Sequence, residues 1–397
     1  MLLLKHTYPL DAAHGRVNPL PAPGQQLLLQ VALCPPDLAL AAWLRWNREF
    51  SFETDVDEGS FALMGLVYRR AQQLSLPMRP DVLGRLRGIY RFLWSKNQTV
   101  VISLRHTVGL LAEIGLPVLV HKGLSLVELY YRDWGVRMTS DLDILLPESE
   151  IERTHQLLSE RGWWAKRFPD ERVRSVTHAS TYRKGSKLEL DVHWRPYMLD
   201  SPKAAEDALW LRAQRRTIQN WPVLVPETMD LLVLACFQGR KPMPAAITRW
   251  VADAAMLIKA LDAPDWEQLR ARADSCGLEQ PVGEALRYLH DQYGLVPRIP
   301  YSMTVVPMAD RLLWKSDIWL RDFDRSWEKS AMTRAVGWLL RFPCSLCLHG
   351  LMYVLPRLRR GMSVTPRGLF AHLMVGRRER ASWRQNSQQP VDVTAAE

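Results

Sequence analysis

Arg137-Met138-Thr139-Ser140-Asp141-Leu142-Asp143-Ile144-Leu145-Leu146 is the stretch on which the fold turns, together with Leu188-Glu189-Leu190-Asp191-Val192-His193-Trp194 further along. In both, apolar residues alternate with charged ones until a proline, Pro147 or Pro196, stops the run, which is the pattern of a short strand. Successive side chains of a strand point to opposite faces, so Asp141 and Asp143 share one face while Leu142 and Ile144 turn into a core. The same parity places Glu189, Asp191 and His193 on one face of the second strand, with Leu188, Leu190 and Val192 behind them. If the two strands are neighbours, three acids meet.

Carboxylates gathered on a sheet surface repel one another, and a divalent cation relieves that repulsion. Mg²⁺ suits the arrangement because it takes oxygen ligands and keeps positions for water and substrate phosphates. A D-x-D pair also occurs on exposed strands that bind nothing, so the flanking sequence decides the reading. Upstream, the apolar run Leu116 to Val120 leads through His121 into Lys122-Gly123, and Leu126, Leu129 and Tyr130 then follow at helical spacing. A glycine between strand and helix lets backbone approach a ligand closely, and free amides at a helix start favour anions. Lys122 and Ser125 add to a candidate triphosphate site.

An apolar strand, Lys-Gly, a helix ending in tyrosines, an arginine, D-x-D-x-L-L, a helix with Gly162 and a late strand carrying D-V-H-W stand here in order. That order resembles the nucleotidyltransferase-like family of the DNA polymerase beta superfamily. More narrowly, it is similar to the uncharacterised nucleotidyltransferases found in bacterial gene clusters for natural products, lasso peptides among them, or for surface polysaccharides. The family pattern falls on Lys122, Gly123, Arg137, Asp141, Asp143, Asp191, His193 and Trp194. The resemblance runs from the N-terminal helices to about residue 259. It implies that Asp141, Asp143 and Asp191 are catalytic and hold Mg²⁺, two ions in all, and that Lys122, Gly123, Ser125, Arg137, Ser140 and His193 contact nucleotide or phosphate.

Two positions depart from the pattern. Gly123-Leu124-Ser125 replaces the Gly-Ser usual in the wider superfamily, and Cys236-Phe237-Gln238-Gly239 lacks a histidine before its glycine. Three residues have two readings each. His193 either orients a carboxylate or contacts nucleotide, or is simply packed beside Trp194. Arg137 binds phosphate or holds an acid such as Asp133. Glu189 rivals Asp191 as third ligand, although Asp191 matches the family position.

With 397 residues, 47% hydrophobic and 24% charged, the chain is long enough for two or three domains and is not of disordered composition. Its net charge of +10 favours polyanions, whether nucleotide, nucleic acid or anionic membrane. Five scattered cysteines do not make a disulfide framework, and the N-terminus lacks the apolar core of a signal peptide, so a cytoplasmic protein is expected. Cys344, Cys347 and His349 resemble a metal half-site but have no second pair nearby, and read as packed helix residues.

The expected architecture is α+β: a small mixed sheet between helical domains. Residues 1–112 form an N-terminal helical region after a proline-rich lead-in over 1–30, with separate helices from Pro80 and from Asn97 to Ile114. Trp43, Trp46 and Trp94 are assigned to its core. The catalytic core spans 113–198, with a helix from Glu148 to Arg161 and a hairpin turning at Lys184-Gly185-Ser186. Residues 199–300 read as helices, among them Ala204 to Arg216, and contain Arg249-Trp250-Val251-Ala252-Asp253, which resembles the family's second signature. The last segment, 301–397, holds an apolar stretch from Ala335 to Leu355 that is too interrupted to span a membrane, and then an arginine-rich tail. Such a tail suits an anionic membrane surface, peripherally, or a protein partner.

The function expected is Mg²⁺-dependent transfer of an NMP from an NTP to a hydroxyl or phosphate acceptor in a bacterial biosynthetic or modification pathway. Peptide, sugar, small molecule and protein remain open as acceptors. The alternatives are a non-catalytic partner or scaffold with the same fold, and an RNA-binding protein, against which no RNA-binding motif is found.

Overall fold

The computed structural model describes residues 20–297, apart from 167, 186–187, 198–201 and 240–243, together with strands β1 (Leu10–Asp11) and β2 (Arg16–Val17). The sequence readings of the remaining lead-in, of Cys344 to His349, of the apolar stretch at 335–355 and of the basic tail lie outside the described residues.

Four helices come first: α1 (Pro23–Leu33), α2 (Pro36–Glu49), α3 (Glu58–Leu74) and α4 (Pro80–Glu113). Prolines open α1, α2 and α4, where the missing N–H breaks no helical hydrogen bond. The lead-in is thus shorter than expected, because Pro23 starts a helix. Nor does the chain break before Asn97: α4 is one helix of 34 residues, since its apolar stripe continues from Leu93 through Asn97 and Val100 to Leu104. Trp43 and Trp46 are buried and stacked, as expected, whereas Trp94 lies on the outer side of α4 at 48% exposure.

The mixed segment supplies β3 (Leu119–Val120), α5 (Leu124–Leu126), which continues as a π-helical turn (Val127–Tyr131), β4 (Leu142–Leu145), α6 (Ile151–Glu160) and β5 (Trp164–Ala165). A separate piece, Pro169–Thr177, carries α7 (Glu171–Val176), whose start is capped by the Asp170 side chain on the Val173 amide. The chain then forms β6 (Ala179–Lys184) and β7 (Leu188–His193), a hairpin turned at Gly185 with φ of 60°. After α8 (Lys203–Arg212) comes a second hairpin, β8 (Gln214–Ile218) and β9 (Trp221–Val225). The helix expected to reach Arg216 therefore ends at Arg212, and the sheet extends into the region read as wholly helical. The run Gln214 to Ile218 is mostly exposed at an edge, so it lacked the apolar alternation that marks a half-buried strand. Helices α9 (Thr228–Gln238), α10 (Pro244–Lys259), α11 (Trp266–Ser275) and α12 (Glu279–Tyr293) complete the described chain.

The sheet has seven strands in the order β5-β6-β7-β4-β3-β9-β8, with β4 parallel to β7, β3 parallel to β9 and the other pairs antiparallel. This is the expected α+β class with a mixed sheet. Leu142, Ile144, Leu190 and Val192 are buried on one face of β4 and β7, which fixes their register, since a one-residue slip would send these side chains to the other face. Helix α4 packs against β4, β7 and β9, and α10 packs against α3 and α9. At the end of α9, Gly239 lies under the Trp250 indole, and a β-carbon there would come within 2.9 Å of the ring. Trp250 is itself buried and tilted against Tyr288, so its place is in the packing of the helices. Among the described residues no helix is long and apolar enough to cross a membrane.

Candidate active site

Parallel pairing of β4 and β7 sets Asp143 directly opposite Asp191, with Leu142 opposite Leu190 and Ile144 opposite Val192 behind them. Asp141 stands immediately before β4, on the parity of Asp143. The neighbouring strands inferred from sequence are therefore real neighbours, and the acids converge. Glu189, by contrast, is drawn to Arg183 on β6 at 2.7 Å.

The carboxylates are perturbed in opposite directions. Burial, reinforced by the charges of Asp143 and Asp191, pushes Asp141 up to about 7. Asp191 is also raised, first by burial and then by Asp143, and its Oδ1 is buried without a hydrogen-bond partner. Burial alone would raise Asp143 as well, but Lys122 and His193 outweigh it and hold this carboxyl well below the usual range. The Lys122 ammonium lies 2.7 Å from Asp143 Oδ1, and His193 Nε2 lies 3.0 Å from the same oxygen and 3.3 Å from Lys122 Nζ. His193 is only 3% exposed and is both packed in the sheet and bonded to the Asp143 carboxylate. A second imidazole, His121, is wholly buried and stands edge-on to His193 at 4.6 Å. Sequence gave no reason to single it out, because a histidine at the end of an apolar strand reads as core.

Gly123 turns the chain from β3 into α5 with φ of 48° and ψ of −95°, a conformation that side chains disfavour. A β-carbon there would lie 3.0 Å from the Thr139 methyl and 3.8 Å from Asp143 Oδ2, so the glycine keeps backbone and acid site in close approach. Ser125 is buried, and its hydroxyl donates to the Lys122 carbonyl at 3.3 Å, which commits its donor within the turn. Ser140 is exposed and donates to Asp141 Oδ1 at 3.0 Å.

The loop that delivers the acids is held from three sides. Arg137 makes a bidentate pair with Asp253 of α10, Nε to Oδ1 at 2.6 Å and Nη2 to Oδ2 at 2.7 Å, and the same Oδ1 accepts from the Tyr131 hydroxyl at 2.8 Å. Its remaining nitrogen, Nη1, reaches the Thr139 hydroxyl and the Met138 carbonyl at 3.2 and 3.4 Å. Arg137 thus holds an acid, and that acid is Asp253 rather than Asp133. Asp133 instead accepts from Tyr90 at 2.8 Å. From α4, the fully buried Asn97 donates to the Trp134 and Arg137 carbonyls at 2.7 and 2.8 Å and accepts the Thr139 amide at 3.0 Å. Gly135 completes the fit, since a β-carbon there would run into the Tyr90 ring at 2.3 Å. Asn97 and Asp253 lie 40 and 116 residues from Arg137 in sequence, which is why local pattern could not pair them.

The donor set fits a divalent cation. Three carboxylates converge, one oxygen of Asp191 is buried without a partner, and burial together with the charges of Asp143 and Asp191 raises Asp141, so a cation would relieve both costs. His121, Asp143 and His193 also bring ligand atoms within 4.8 Å of one another. A search of curated proteins gave no match. The sequence model of a family described as uncharacterised nucleotidyltransferase matches residues 61–294, which takes in most of α3, all of α4 to α12, the whole seven-stranded sheet, Asn97, Lys122 and all three acids. By that match, over more than half its length, the chain belongs to this family of nucleotidyltransferases.

Proposed function

We propose that this protein transfers a nucleoside monophosphate from an NTP to a hydroxyl or phosphate acceptor, with Mg²⁺, in a bacterial biosynthetic or modification pathway. The observation that carries the reading is the in-register pair Asp143 and Asp191, with Asp141 one step ahead of β4. Asp141, Asp143 and Asp191 are the residues that would hold two Mg²⁺ ions. When bound, these would offset charge on the triphosphate and make the acceptor hydroxyl more acidic.

The chain's own residues have separable tasks. Lys122 and His193 keep Asp143 ionised at neutral pH, so it is ready as a ligand without first losing a proton. Gly123 leaves room for phosphate between backbone and acids, where any side chain would press on Thr139. Arg137 and Asn97 hold the loop that positions Asp141. In the transfer, the acceptor oxygen bonds to the α-phosphorus while the bond to pyrophosphate breaks; pyrophosphate leaves with the electron pair, and a hydroxyl acceptor gives up its proton to water. Asp191, the acid with an unpartnered oxygen, serves the acceptor side, and Asp141 and Asp143 serve the triphosphate.

The test is transfer of label from α-phosphate-labelled NTPs to fractionated acceptors, with pyrophosphate release followed in parallel. Wild type should release pyrophosphate only with Mg²⁺, and Asp191→Asn should abolish release while still binding NTP. Full activity in Asp191→Asn would defeat the assignment.

A further inference from the structure

We infer that Arg249 of α10, and not Arg137, is the arginine that meets the triphosphate of the donor nucleotide; this rests on the transferase reading above. The two guanidinium groups both reach the Met138 carbonyl and are otherwise used very differently. All three nitrogens of Arg137 are engaged, two of them by Asp253 and the third by Met138 and Thr139, so four of its five N–H donors and its charge are already committed.

Among the described residues, Arg249, one turn before Asp253 on α10, donates only to backbone carbonyls. Its Nε meets Ala245 O at 3.1 Å and its Nη1 meets Met138 O at 3.4 Å. Among the described residues it has no carboxylate partner, and its Nη2 makes no hydrogen bond. A largely buried cation with no carboxylate bonded to it is unfavourable, and proteins tolerate it where a ligand supplies the missing partner.

Its position shows which ligand. Met138 precedes Thr139, whose methyl is the nearest atom to the missing side chain of Gly123 at 3.0 Å. The guanidinium therefore lies against the loop that borders the glycine turn. Burial and repulsion from Arg137 lower its pKa, while Asp253, Asp141 and Asp143 act in the opposite direction, so it stands within the field of the acid cluster. A triphosphate drawn to that cluster brings several negative charges and non-bridging oxygens. A guanidinium recognises these better than an ammonium, because two of its N–H groups can engage one phosphate. The alternative is that Arg249 only ties α10 to the Met138 carbonyl.

Calorimetric titration with an NTP and with the matching NMP, in Mg²⁺, separates the two. Arg249→Ala should weaken NTP binding by about ten- to a hundredfold, the loss of charge-assisted hydrogen bonds. NMP affinity should hold within roughly twofold, because only contacts to the outer phosphates are lost. Arg249→Lys keeps the charge and should restore part of the NTP affinity alone, and it carries the test if the alanine variant does not fold. Equal losses for NTP and NMP, or unchanged NTP binding, would overturn the assignment. If wild type binds no NTP, the transferase reading itself falls and this assignment with it, a result that needs no variant to be read.

Discussion

Replacing Asp141 by asparagine in the metal-free protein should make it more stable, and the gain should grow with pH. The carboxyl of Asp141 is pushed from 3.8 to about 7 by burial and by the charges of Asp143 and Asp191. In the unfolded chain it ionises near its ordinary value. Between these two pH values the native state holds a proton that the unfolded state has lost, so stability falls as pH rises from about 4 to 7. At about 1.4 kcal/mol per tenfold change, the full shift corresponds to about 4 kcal/mol of destabilisation at neutral pH and above. Asp141 is only partly buried, and solvent relaxation reduces this to about 1–2 kcal/mol, or roughly 1–3 °C in Tm for a chain of this size. Asparagine keeps an oxygen to accept from Ser140 and removes the charge. Asp143 acts with the opposite sign: its folded value is depressed, so its contribution is complete above the ordinary carboxylate range and lost only in more acidic solution.

The assay is chemical denaturation in chelator at several pH values between 4 and 8. Wild type should lose stability across the window, while Asp141→Asn should be flatter and more stable at pH 8. Mg²⁺ should then stabilise wild type but not the variant. A variant less stable than wild type at pH 8, or one with the same pH slope, would refute the idea that repulsion among the acids is held in the native state.

Two further substitutions probe the loop. Arg137→Met leaves Asp253 buried and uncompensated and should cost about 3–5 kcal/mol, measured as a fall in the denaturation midpoint, whereas Arg249→Ala should cost far less. Asn97→Ala removes three hydrogen bonds around Trp134, Arg137 and Thr139; it should destabilise by about 2–4 kcal/mol and weaken NTP binding indirectly, with both effects read on the same preparation.

Much of the site was legible because strand parity is a short-range code. Alternation around Asp143 and Asp191 fixed which side chains share a face, and the leucines behind them fixed the register. Gly123 was legible for a similar local reason, since a glycine between an apolar strand and a helical pattern marks a close approach. What could not be read was long-range pairing. Arg137 looked available for phosphate because its partner, Asp253, arrives on a helix 116 residues later, and Asn97 looked like an ordinary polar residue on a helix. Ser125 matched a phosphate-binding position, but whether its hydroxyl turns outward or back to Lys122 O depends on the turn geometry rather than on residue type. Strand β8 was hidden for another reason: an exposed edge strand carries little apolar alternation, and a basic, partly exposed run such as Gln214 to Ile218 resembles the end of a helix.

The central claim is that three acids and a glycine turn form a metal-dependent NTP site, and calorimetric titration of wild type and Asp141→Asn/Asp143→Asn with ATP, GTP, CTP and UTP, each with and without Mg²⁺, tests it most directly. Saturable binding of at least one NTP by wild type, present only with Mg²⁺ and lost in the double variant, is the predicted result. Nucleotide binding of equal strength in the double variant, or no binding to wild type with any NTP, would contradict the account.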